Sequence, residues 1–279
     1  MIDFIRKITI HPVLWVILGI GGMTGLFKEI LMILIIVFIH ELGHSLVALR
    51  FGWRIRKITL LPFGGMAEMD EYGNRPAKEE ILVTIAGPIQ HIWLIGISYL
   101  LVTTPVWSEG DHRLFLFHNL TILAFNLLPV LPLDGGKLIF TLTSMFLPFQ
   151  KSYDRSFGLS VFLLINLTCI SLLILPFHLN LIVIICFIWV QHYLEWRQRH
   201  YHFLRFILER NSSKQVREIQ LMQVSSGLTV AQAIQKIYRE KELIFYFKKG
   251  NEVVQVNEKK LLQAYFQRNA RGVAISHLA

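Results

Sequence analysis

The sequence predicts a polytopic α-helical membrane protein with a small α/β domain at its C-terminal end. Three observations predict it. The chain has 279 residues, 53% hydrophobic and 17% charged, with a mean hydropathy of +0.49, more apolar surface than a soluble domain of this length needs. Apolar segments of membrane-spanning length alternate with short basic loops. At Glu195 the composition changes abruptly to a polar, mixed-charge tail.

In chain order, Pro12 to Phe27 reads as a first span whose Gly19, Gly21, Gly22 and Gly25 allow close helix approach in lipid. It lacks a small-residue cleavage site and is followed by further spans, so it reads as retained. The second span, Ile30 to Arg50, carries His40-Glu41-Leu42-Gly43-His44 at its middle. Two histidines four apart on a helix share a face, so both imidazoles can meet one cation. Glu41 beside the first ligand is the candidate general base, the division of labour of zinc peptidases with this spacing. A charge at the centre of a membrane helix costs about 2.5–3.5 kcal/mol, which weighs the motif towards function.

Phe51 to Lys78 holds Ile58 to Glu68, strand-like residues around a glycine pair, consistent with a re-entrant hairpin or an interfacial turn. Ile81 to Val102 is a third span containing Ala86-Gly87-Pro88 and His91, the latter read as a packing residue because no ligand stands at helical spacing from it. Leu114 to Leu147 is too long for one plain span and is broken at Asn126 to Gly136, where two prolines and two glycines unwind the helix and imply a wet pocket. Asp134 at that break is the best third ligand for a His-His-carboxylate zinc site with an open fourth position; capping of a helix starting at Gly135 competes for it. Asn126 suits donation to a substrate carbonyl or oxyanion, and equally an interhelical hydrogen bond.

Phe157 to Leu175 and Leu179 to Tyr193 complete six spans. Cys169 and Cys186 lie within these apolar runs and read as small buried hydrophobes. The net charge of +9 reflects loop and tail cations rather than a nucleic-acid surface, and direct nucleic-acid binding is not expected. Arg6, Lys7, Arg50, Arg54, Arg56, Lys57, Arg75, Lys78, Lys151, Arg155, Arg197, Arg199 and Arg205 fall on one side, against Lys28 and Arg113 on the other, which puts both termini in the cytosol. The expected domains are a transmembrane unit over 1–194, a linker helix over 195–214 and a soluble unit over 215–279. In the last, Thr229 caps a helix, Ile244 to Phe247 and Val253 to Val256 are strands about a Gly250-Asn251 turn, and Lys259 to Phe266 is helical.

With the His-Glu motif, Ala86-Gly87-Pro88 and the Asn126 to Gly136 break, the chain resembles the site-2 protease family of intramembrane zinc metalloproteases. Within it, the chain looks closest to the sporulation branch that processes the pro-form of a late mother-cell sigma factor. The tail resembles a cystathionine-β-synthase (CBS) domain. The resemblance implies zinc on His40, His44 and Asp134, water activation by Glu41, a substrate cleft lined by Asn126 and Pro132, and a loop from Leu61 to Gly65, with Phe63 at its tip, bordering substrate entry. It further implies a membrane-associated pro-protein substrate, inhibitory membrane partners, residence in the membrane around the developing forespore, and nucleotide sensing by the tail. Where family members place a ribose-binding Asp before the final helix, this chain has Lys260 after Asn257-Glu258-Lys259, so Asn257 and Lys260 are the candidate ATP contacts through phosphate, with docking of the pro-protein's soluble part as the alternative role of the tail. A homo-oligomer is compatible with the sequence. A metal transporter or sensor would also suit a midplane His-His-Asp site, but it has no need of Glu41.

Overall fold

The computed structural model describes residues 8–10, 12–61, 64–69, 74–173, 179–212, 217–249, 252–267 and 270–278. Strand β1 (Ile8–Ile10) precedes helix α1 (Pro12–Thr24) and the motif helix α2 (Phe27–Arg50), followed by strands β2 (Ile55–Leu61) and β3 (Gly64–Met69). Helices α3 (Ala77–Leu101), α4 (Glu109–Asn126), α5 (Asp134–Phe146), α6 (Phe149–Leu173) and α7 (Leu179–Ser212) complete the membrane half. The tail runs β4 (Glu218–Gln223), α8 (Val230–Ile234), β5 (Lys241–Lys249), β6 (Glu252–Asn257), α9 (Glu258–Gln267) and a short 3-10 turn, Ile275–His277.

Among the described residues, α2, α3 and α6 are long and apolar enough to cross a membrane. At 1.5 Å per residue α2 spans about 36 Å, more than the roughly 30 Å hydrocarbon slab. Helix α1 is shorter and apolar. Their outward residues, among them Leu46, Ile92, Leu100, Phe162 and Leu173, remain exposed, a belt whose natural solvent is lipid. Cys169 and Cys186 belong to this outward face as exposed free thiols, not to the interior expected for them; being small and only weakly polar, they sit in lipid at little cost.

The break foreseen between Asn126 and Gly136 is real, since α4 ends at Asn126 and α5 starts at Asp134. Within the stretch Ile58 to Glu68, β2 and β3 pair antiparallel, with Leu60 opposite Gly65 and Leu61 opposite Gly64. Strand β1, which the sequence offers no reason to expect, adds to β2 in parallel, Ile8 opposite Ile58. The last span and the basic linker are one continuous helix, α7, because no glycine or proline interrupts Leu179 to Ser212.

In the tail, Thr229 accepts from the Gln232 backbone and Gln232 returns the bond, the capping box that starts α8. Strand β5 lies between parallel β4 and antiparallel β6. Its Leu243, Phe245 and Phe247 are buried with Ile234, Val256 and Leu261, and the same core takes in Phe140, Phe149, Phe206 and Ile207 of the membrane helices. The seam between the halves is therefore hydrophobic. It is also ionic: Arg239 pairs with Glu80 of α3 and donates to Ser144 Oγ at 3.0 Å, while Arg210 of α7 pairs with Glu258 at 2.5 Å.

Candidate metal centre

Three helices bring the chemistry together. On α2, His40 and His44 face the bundle, 3% and 7% exposed, with their Nε2 atoms 3.0 Å apart. Asp134, the first residue of α5, directs Oδ2 to His40 Nε2 at 3.1 Å and to His44 Nε2 at 3.0 Å. These are the three residues that the sequence nominated as ligands, and among the described residues they form a group able to share one ion. Helix capping does not compete for Asp134, since the N-cap of α5 is Leu133 and no side chain caps it.

The donor set fits zinc. Asp134 has no proton to offer when ionised, and His44 Nδ1 lies 2.8 Å from the Val83 carbonyl, which can only accept, so in the neutral ring His44 Nδ1 donates and Nε2 keeps its lone pair. Lone pairs aimed at one point repel, and a shared cation removes that cost. Two imidazole nitrogens and one carboxylate oxygen are the protein ligands of a catalytic zinc with an open fourth position. Lys137, one turn along α5, places Nζ 3.4 Å from Asp134 Oδ1 and leaves Oδ2 turned towards the histidines.

Close backbone approach seals the pocket. A Cβ on Gly87 of α3 would overlap the imidazoles of His44 and His40, and one on Gly65 of β3 would overlap the Glu41 side chain. Only glycine lets these two backbones come so near. Glu41 is 8% exposed, beside His40 in sequence and under β3 in space. In the sheet order β1-β2-β3, β3 is an edge strand.

The cleft residues are more scattered. Asn126 ends α4, and its amide donates to the Ile122 carbonyl at 3.1 Å instead of reaching across the bundle. Pro132 sits in the α4–α5 loop next to Leu131, which is held on both sides: its N–H donates to Ser160 Oγ at 2.9 Å and its carbonyl accepts from His192 Nδ1 at 2.9 Å. Helices α6 and α7 thus support the loop that delivers Asp134. Phe63 lies outside the described residues. Asn257 and Lys260 are exposed at the end of β6 and in the first turn of α9, while Glu258 between them is buried against Arg210.

Sequence reasoning passed over His91 and Asn119. His91 Nε2 lies 3.0 Å from His40 Nδ1, and its Nδ1 lies 2.7 Å from Asn119 Oδ1. The sequence signal at both positions is a polar side chain in an apolar stretch, which points to burial without naming the partner. Ligand spacing was the wrong filter, because a residue that supports a ligand needs no helical register with it.

The profile of peptidase family M50 matches residues 28–109. Stage IV sporulation protein FB of Bacillus subtilis is 44% identical over 273 residues, 95% of this chain and 93% of that protein. Zinc metalloprotease MJ0392 of Methanocaldococcus jannaschii is 35% identical over 190 residues, 66% of this chain and 54% of that protein. The solved structure of the site-2 protease from Methanocaldococcus jannaschii is similar with a TM-score of 0.54 at 27% identity, covering 68% of this chain and 91% of that one.

Proposed function

This chain belongs to the site-2 protease family, peptidase family M50, whose members are zinc metalloproteases, and from that membership we propose that it hydrolyses a membrane-associated pro-protein, a sporulation sigma-factor precursor, at the centre formed by His40, His44, Asp134 and Glu41. The observation that carries the residue assignment is the convergence of His40 Nε2, His44 Nε2 and Asp134 Oδ2 within about one hydrogen-bond length of one another. The name of the Bacillus subtilis relative, a stage IV sporulation protein, supports the substrate class.

When bound, zinc supplies Lewis acidity that polarises the scissile carbonyl and lowers the pKa of a water. Glu41, not needed as a ligand, takes the proton from the attacking water and returns it to the departing amide nitrogen. A peptide bond inside a helix must leave its hydrogen-bond ladder before water reaches it. The edge of β3 beside Glu41, unpaired among the described strands, offers backbone N–H and C=O groups to such an extended segment. In this reading Pro132 and Asn126 belong to the same substrate cleft, with Asn126 reaching substrate by exchanging its bond to Ile122.

In this reading both termini are cytosolic, the chain lies in the membrane around the forespore facing the mother-cell cytosol, and membrane partners hold it inactive until a signal arrives. The tail acts as a CBS-like regulatory domain, with ATP contacting Asn257 and Lys260, a pair supported by their common exposure at the start of α9. The test is cleavage of a candidate pro-protein by the purified protein in detergent. Truncation that stops on chelation with 1,10-phenanthroline and returns with added zinc is expected; truncation indifferent to chelation would contradict the reading.

A further inference from the structure

We propose that Asn119 and His91 form a relay that fixes the tautomer of His40, so that its Nε2 lone pair is the one presented to the metal. The inference rests on the zinc reading of the triad and adds to it two positioning residues that touch neither metal nor substrate. Asn119 and His91 are both 0% exposed and His40 is 3% exposed, so none of the three has water to fall back on.

The order of donors and acceptors is settled from the far end. Asn119 Nδ2 lies 3.0 Å from the His91 main-chain carbonyl, which can only accept, so the amide is oriented with its NH2 towards that carbonyl. Its Oδ1, an obligate acceptor, is then left facing His91 Nδ1 at 2.7 Å, and His91 carries its proton there. In a neutral imidazole the second nitrogen is the acceptor. His91 Nε2, 3.0 Å from His40 Nδ1, therefore requires that His40 Nδ1 be the donor. In the neutral, metal-ligating ring, what remains on His40 is an Nε2 without a proton, facing Asp134 Oδ2 and His44 Nε2.

The two ligand histidines reach the same state by different means. His44 is set by one backbone carbonyl, Val83 O, and His40 by two side chains in series from α3 and α4. Partners to the outer nitrogen of a ligand histidine fix ring orientation and tautomer, and their loss weakens metal binding about 10–100-fold. Nothing in the relay requires His91 to change protonation.

The experiment has two arms. In wild-type protein labelled with 15N at histidine and stripped of metal, NMR is expected to find the His40 proton on Nδ1. A His40 that carried its proton on Nε2 would overturn the relay without any variant having to fold. Zinc affinity, read by competition with a chromophoric chelator, is then compared among wild type, His91→Leu and His91→Gln. The Leu variant is expected to bind about 10–100-fold more weakly. The Gln variant, whose Oε1 takes the place of Nε2 as acceptor, is expected to recover most of that loss, which a purely packing role for His91 would not produce. Equal affinity of wild type and the Leu variant would overturn the relay while leaving the metal centre intact. A wild-type chain that bound no zinc at all would remove the centre itself and the relay with it.

Discussion

Buried polar groups occur in both halves of the molecule, but they are arranged in opposite ways. In the membrane half, His40, His44 and Asp134 turn acceptor atoms towards one another. At the seam with the tail, cations meet carboxylates and almost every neighbouring acceptor is served: Arg210 bonds Glu258 and donates to the Arg239 carbonyl at 2.8 Å and to the Lys241 carbonyl, while Glu258 also accepts from the Leu243 N–H at 3.0 Å. Convergent acceptors ask for an ion. Paired opposite charges with satisfied neighbours hold elements together. Convergence of acceptors on one point, rather than burial of a polar side chain as such, therefore marks the metal centre in this chain.

The comparison is most exposed at Asp134. Replacing it with Ala removes one of three ligands, and zinc content is expected to fall from about one per chain towards none, with cleavage lost; unchanged stoichiometry by atomic emission would mean that the acceptors do not converge on a metal. The next largest effect belongs to the seam. Glu258→Ala strands Arg210, 2% exposed at its side chain, and is expected to cost about 3–5 kcal/mol in chemical unfolding of the detergent-solubilised chain while zinc stays bound. Replacing both partners, Arg210→Met with Glu258→Leu, removes the stranded charge but leaves the Arg239 and Lys241 carbonyls and the Leu243 N–H unserved, so only part of that loss should return. If Glu258→Ala instead emptied the metal site at full stability, the division between chemistry and assembly would fail. The smallest effect is expected at the exposed Lys260, where Ala should change stability by no more than about 0.5 kcal/mol and leave zinc untouched. Only ATP affinity should respond; an ATP titration identical in parent and variant would remove Lys260 from the nucleotide proposal.

The same contrast explains what the sequence could reveal. His40, Glu41 and His44 were legible because one turn of one helix puts them together, and Asp134 because the prolines and glycines around it announce a break in an apolar run. From Thr229 onwards the tail's order of helix, two strands and helix was legible from periodicity and the Thr229 cap, but strand β4 before it was not expected. His91, Asn119, Ser160 and His192 were not legible, since each acts on a residue 28 to 61 positions away along the chain and no local pattern records that distance. The Val83 carbonyl that sets His44 leaves no trace in side-chain identity at all. Strand β1 has only Ile8 to Ile10 to declare itself, and the shared core of Phe140, Phe149 and Phe206 with the tail strands appears only on folding.

Glu41→Gln tests the central claim most directly, because it removes the proposed base and leaves the ligands alone. Zinc content and cleavage of a membrane-associated pro-protein are measured on the same preparation, beside wild type. The account predicts about one zinc per chain in both proteins and no cleavage by the variant. Cleavage by Glu41→Gln at the wild-type rate, with zinc in place, would contradict it.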